Sequence, residues 1–81
     1  STAEQVLGLE KRAGHSELTN NLRHAVGLLV QAAVGWEQLA RVGASEGAWD
    51  CAEANYRRAA GLLDRLADKA ANQTTTLRGV C

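Results

Sequence analysis

Apolar residues recur at helical spacing in three segments of the chain, and short glycine-containing stretches separate the segments. The spacing predicts helices over about 2–12, 17–42 and 48–71, with breaks at 13–16 and 43–47. Residues 72–81 are polar and partly β-branched, so we expect a flexible tail there. The sequence therefore predicts an all-α fold with a single domain, residues 1–71: a short N-terminal helix and a long antiparallel helical hairpin, forming a three-helix bundle.

The second and third predicted helices each carry an unbroken heptad stripe. The stripes are Leu18, Leu22, Ala25, Leu29, Ala32, Trp36 and Leu39 in one helix, and Trp49, Ala52, Tyr56, Ala59, Leu63, Leu66 and Ala70 in the other. When the two helices fold back on each other, large residues of one stripe face small residues of the other, as close packing requires. The predicted core is therefore Leu22, Leu29, Trp36, Leu39, Trp49, Ala52, Tyr56, Ala59, Leu63 and Leu66.

A further apolar stripe lies beside the predicted core. The first helix has roughly 11 residues and spans roughly 16 Å, so it covers only part of a hairpin whose helices are about 36–39 Å long. The stripe left uncovered consists of Val26, Val30, Ala33 and Val34, with Ala60 and Ala67 on the matching edge of the third helix. Monomers seldom leave such a patch bare. We expect it to bind a protein partner, either another protein's helix or a second copy in a homodimer with a larger bundle.

Three glycines, Gly27, Gly35 and Gly61, fall inside the predicted helices. Glycine costs roughly 1 kcal/mol relative to alanine in a helix interior. Their presence indicates points at which another helix comes close.

Composition and charge exclude several classes of function. Nine basic residues balance nine acidic ones without a basic stripe, so a nucleic-acid partner is not expected. The longest uncharged run, Ala25–Trp36, has 12 residues, whereas a membrane-spanning helix needs about 20, so membrane insertion is not expected. Cys51 and Cys81 are too far apart along the chain for us to expect a disulfide between them. Two free thiols favour a reducing, cytoplasmic location.

The sequence contains no pattern of catalytic, cofactor-binding or metal-ligating residues, so we expect neither an enzyme nor a cofactor. One alternative is a phosphotransfer bundle that uses His24, which lies one position off the stripe and should point outward. Histidine phosphotransfer domains follow such a His with Leu-Lys-Gly, but Ala25-Val26-Gly27 follows here and the Lys is absent. Another alternative is a purely structural fragment of a larger protein, since the chain begins at Ser1 without Met.

The segment Trp36–Ala59 resembles a single tetratricopeptide repeat. That family spaces aromatic, Leu, small and Gly residues at set distances, and the matching positions here are Trp36, Leu39, Ala40, Gly47, Trp49, Ala52, Tyr56 and Ala59. The chain departs from the pattern at Gly43, where a bulky residue is usual, and at Asp64, which replaces a Pro.

The start of the third predicted helix also resembles the second helix of the three-helix MIT (microtubule-interacting and trafficking) domains. Either resemblance implies a helical hairpin.

Overall fold

The computed structural model describes the backbone of residues 2–80 and the side chains of residues 2–73. This part of the chain forms three helices: α1 (Ala3–Leu18), α2 (Leu22–Arg41) and α3 (Ala48–Val80). α2 packs against both α1 and α3, and the molecule is an elongated body of 56 × 20 × 13 Å. The predicted all-α class and three-helix arrangement are confirmed.

α1 begins with a capping box formed by Thr2 and Gln5. The Gln5 backbone N–H donates to Thr2 Oγ1 at 3.2 Å, and the Thr2 N–H donates to Gln5 Oε1 at 2.9 Å. Two otherwise unpaired N–H groups of the first turn are thereby satisfied.

The break between α1 and α2 lies at 19–21, so the predicted break at 13–16 is wrong. Gly14 does not end α1, and the residues on either side of it, Ala13 and Ser16, are buried in the bundle. The chain turns instead at Asn20, which adopts a left-handed φ of 61° that Asn tolerates. Leu18 consequently ends α1 and is 88% exposed, rather than starting the core stripe of the second helix.

The turn between α2 and α3 lies where the sequence predicts it. Gly43 and Gly47 both have positive φ, 65° and 74°, a backbone conformation that costs glycine little. α3 then runs from Ala48 to Val80, past the predicted end near residue 71. Residues 72–80 are thus helical, where a flexible tail was predicted, and Cys81 lies outside the described residues.

The core of α2 agrees with its predicted stripe. Among the described residues, the buried apolar side chains of α2 are Leu22, Ala25, Leu28, Leu29, Ala32, Ala33, Trp36 and Leu39. They form two clusters along the helix. One contains Leu29 with Ala59 and Leu62 of α3, and the other contains Trp36 with Val6 of α1 and Ala52 of α3.

The core face of α3 differs from the predicted one. Its buried residues are Ala48, Ala52, Asn55, Ala59 and Leu62, with Leu66 partly buried against them. Trp49, Tyr56 and Leu63 were expected in the core, but they are 56%, 39% and 52% exposed. Asn55 takes an inward position on this face, where its amide donates a hydrogen bond to the Glu10 carboxylate of α1.

Of the three helix glycines, only Gly35 marks a close approach within the described chain. A Cβ atom at Gly35 would lie 2.6 Å from Cγ2 of Val6 in α1. Nothing lies within 4 Å of a Cβ at Gly27 or Gly61, so the prediction is wrong at those two positions within this chain.

Candidate functional site

The outer face of α3 carries a row of large apolar side chains. Trp49, Tyr56 and Leu63 are spaced by seven residues, so they lie on one side of the helix. Ala60 and Ala67 are exposed on the same side. This row points away from α1, because Asn55 and Arg58, on the other flank of α3, are the residues that reach α1.

Trp49 and Tyr56 of this row form one wall of an open groove between α2 and α3, with a volume of about 490 Å³, and Leu63 continues the row beyond the groove. We call it the Trp49 groove. Its lining residues are Glu37, Trp49, Ala52, Glu53, Tyr56, Arg57 and Ala60. Ala52 is buried and forms the floor, whereas the two aromatic rings stand at the surface.

Two valines extend the apolar surface along α2. Val30 and Val34 are 39% and 40% exposed. Glu37, which lines the groove, is seven residues after Val30 and three after Val34, so all three lie on the same side of α2. The exposed apolar surface therefore continues from the Trp49 groove along α2.

The predicted binding stripe is exposed in part. Val30, Val34, Ala60 and Ala67 are exposed, as a binding surface requires, and Ala60 lines the Trp49 groove. Val26 is half-buried and packs against the core cluster around Leu29. Ala33 is fully buried, so it cannot contact a partner. Its position on α2 is rotated inward from those of Val30 and Val34.

The charged groups around the groove already have partners within the chain. Glu53 and Arg57 form an ion pair of 2.6 Å, and Glu37 lies 3.8 Å from Arg41. The pKa of Tyr56 is raised. The largest cause is the hydrogen bond that its hydroxyl donates to the Glu37 carboxylate, and desolvation and the negative charge of Glu37 contribute less. The rim thus carries balanced charge, and the apolar rings determine what the groove can bind.

The residues that sequence reasoning missed are the polar link between α1 and α3. Glu10 Oε2 accepts hydrogen bonds from Trp36 Nε1 at 2.9 Å and from Asn55 Nδ2 at 2.6 Å. The sequence feature that points to an inward Asn55 is a second heptad on α3, which runs beside the predicted one and consists of Ala48, Ala52, Asn55, Ala59, Leu62 and Leu66.

Several other predictions can be placed on the structure. His24 is exposed, as its position off the core stripe predicts. Cys51 is half-buried and free of a disulfide. In the described part of the chain, His, Cys, Asp and Glu side chains do not gather into a cluster of three that could hold a metal. No helix in this part is long and apolar enough to cross a bilayer.

The chain matches no family model, no curated protein and no solved structure. The resemblances to the tetratricopeptide repeat and to the MIT domains stay predictions.

Proposed function

We propose that this protein is a non-catalytic helical interaction module that pairs with a second copy of itself through the Trp49 groove and the adjoining valines. The observation that carries the proposal is the row of Trp49, Tyr56 and Leu63, three large side chains left at the surface of a small bundle. Water contact with such side chains is costly, and burying one of them gains about 1.5–3 kcal/mol. A contiguous apolar patch of this kind is typical of a protein interface.

The dimensions of the surface favour a helix over a small molecule. The row from Trp49 to Leu63 covers four turns of α3 and is about 21 Å long at 1.5 Å per residue. The groove is open along its length and shallow, whereas small-molecule sites enclose most of the ligand. An apolar helix face laid along α3 would cover the whole row.

The pattern of side-chain sizes favours a second copy as the occupant. Large residues recur every seven positions on α3, and Ala60 and Ala67, also seven apart, leave gaps beside them. In an antiparallel pair of α3 helices related by a two-fold axis, the large residues of one copy can enter the alanine gaps of the other. The Glu53–Arg57 ion pair neutralises the rim within each copy, so the contact would bury no unpaired charge.

Static light scattering of the whole chain at low and high concentration tests the proposal. We expect the average mass to rise from one chain to two. Leu63→Glu should keep the mass at one chain at high concentration. Leu7→Glu is the matched control, because Leu7 lies on α1, away from the apolar row of α3, and is 54% exposed against 52% for Leu63. A parent chain that stays monomeric at high concentration would contradict pairing with a second copy.

A helix of another protein in the same groove is the other occupant that this surface fits. A monomeric parent that binds an apolar dye, with the binding lost in Leu63→Glu but kept in Leu7→Glu, would favour such a partner. If the parent chain stays monomeric and does not bind the dye, the Trp49 groove is not an interaction site.

A further inference from the structure

A second surface depression lies between α1 and α2, and its chemistry differs from that of the Trp49 groove. It is an open cleft of about 400 Å³ lined by Lys11, Arg12, His15, Ser16 and His24. Four of its five lining residues are basic, and the fifth carries a hydroxyl group. We call it the basic cleft. No residue of the Trp49 groove takes part in it.

The basic residues that line the cleft form no ion pair with a carboxylate in the described part of the chain. The ion pairs found among the described residues use Arg41, Arg57 and Arg58, and none of these lines the cleft.

The two acidic residues closest to the cleft along α1 point toward α3. Glu10 accepts hydrogen bonds from Trp36 and Asn55, and Glu17 pairs with Arg58 at 2.7 Å. Although the whole chain has a net charge of zero, the carboxylates of Glu10 and Glu17 are therefore engaged away from the cleft, and basic groups predominate among its lining residues. Such a local excess attracts anions.

The helix geometry directs these basic groups into one place. Lys11 and His15 are four residues apart on α1, as are Arg12 and Ser16, so each pair is aligned along the helix. His24 comes from the first turn of α2, which contains no acidic residue. The N-terminal end of α2 carries a partial positive charge, whereas the C-terminal end of α1, with His15 in its last turn, carries a partial negative one, so the basic side chains supply the positive charge of the cleft.

We infer that the basic cleft binds a phosphate-class oxyanion, such as the phosphate or pyrophosphate group of a small molecule. The planar guanidinium of Arg12 can donate two parallel hydrogen bonds to phosphate oxygens, and Lys11 supplies a compact charge. The imidazoles of His15 and His24 and the hydroxyl of Ser16 can donate further hydrogen bonds to the remaining oxygens. This inference does not depend on pairing through the Trp49 groove.

A titration with inorganic pyrophosphate, followed by NMR of the histidine side chains, tests the inference. Sodium chloride holds the ionic strength constant, since diffuse charge effects are screened by salt. We expect the imidazole signals of His15 and His24 to shift together and to saturate. Arg12→Gln should weaken binding by about tenfold, the loss expected for a hydrogen bond to a charged group. Arg12 is exposed, so the variant should fold, and circular dichroism checks this.

Arg65→Gln is the matched control, because Arg65 is an exposed arginine of α3 outside the basic cleft. It should bind pyrophosphate as the parent does. His24→Gln gives a second variant on the α2 side of the cleft and should also weaken binding. Shifts that do not saturate, or equal weakening by Arg12→Gln and Arg65→Gln, would show attraction to overall charge only and overturn the inference.

Discussion

Asn55 Nδ2 of α3 donates a 2.6 Å hydrogen bond to Glu10 Oε2 of α1. Among the described residues, no Cα atom of α1 lies within 8 Å of a Cα atom of α3, so long side chains must connect these two helices. The same carboxylate oxygen accepts the indole N–H of Trp36 from α2. One partly buried carboxylate thus joins all three helices at a single point.

Removal of this carboxylate should destabilise the bundle. Glu10→Ala leaves the Trp36 N–H and one Asn55 N–H without their acceptor, and we expect the free energy of unfolding to fall by about 2 kcal/mol. Glu10→Gln keeps an acceptor oxygen and should cost less. Urea unfolding measures both, and Glu4→Ala, an exposed position on the same helix, is the control. Equal stability of Glu10→Ala and Glu4→Ala would show that the link contributes nothing.

Two glycines of α2 should respond in opposite directions to the same substitution. Gly35→Ala places a Cβ 2.6 Å from Cγ2 of the fully buried Val6, and overpacking of this kind costs about 1–3 kcal/mol. Gly27→Ala meets nothing within 4 Å and should stabilise the helix by up to about 1 kcal/mol. Thermal unfolding of the two variants checks the signs. Stabilisation by both would mean that α1 can move away from α2 at little cost.

The two tryptophans should separate stability from association. Trp36 is buried and hydrogen bonded, so Trp36→Ala should lower the free energy of unfolding by about 3–5 kcal/mol. Trp49 is more than half exposed, and Trp49→Ala should change the unfolding of the monomer by less than about 1 kcal/mol while it weakens pairing. Urea unfolding at low concentration and light scattering at high concentration measure the two effects. A large loss of monomer stability in Trp49→Ala would show that Trp49 contributes to the core of the monomer.

The difference between the two tryptophans shows how far the sequence predicts this fold. Two heptads overlap on α3 and share Ala52, Ala59 and Leu66, so the pattern alone allows either face to point inward. The more apolar heptad, with Trp49 and Tyr56, was the natural choice for the core. The structure buries the other face, on which Asn55 donates a hydrogen bond to Glu10, and a contact between residues 45 positions apart leaves no periodic signal.

The sequence predicts the α2 part of the candidate site but not the α3 part. The exposed valines of α2 follow from its heptad, whose core face is unambiguous, and Val30 and Val34 lie at the surface as expected. The aromatic wall of the groove was assigned to the core because its exposure depends on the rotation of α3. Leu18 was misplaced because Gly14 is compatible with a helix end, whereas α1 continues through Ser16 to Leu18.

The tyrosine at the groove should report on its acidic neighbour. Glu37 raises the pKa of Tyr56 above the ordinary value of 10.0, so Glu37→Gln should lower it. Tyr56 is the only tyrosine in the chain, and an ultraviolet absorbance titration therefore follows it alone. Glu53→Gln is the control and should leave the titration unchanged. Because the raised pKa belongs to the folded state, its contribution to stability is complete below the unfolded-state pKa and is lost as the pH rises through the folded-state pKa.

The valine pair tests whether α2 takes part in pairing. Val30→Glu combined with Val34→Glu places two charges on the exposed side of α2, next to the Trp49 groove, and a desolvated unpaired charge is strongly unfavourable in an interface. We expect the double variant to stay monomeric at high concentration. It should keep its helical circular dichroism, because both side chains are already about 40% exposed and glutamate is a better helix former than valine. Leu18→Glu, at the exposed end of α1, should pair as the parent does. A double variant that still pairs would restrict the interface to the α3 row.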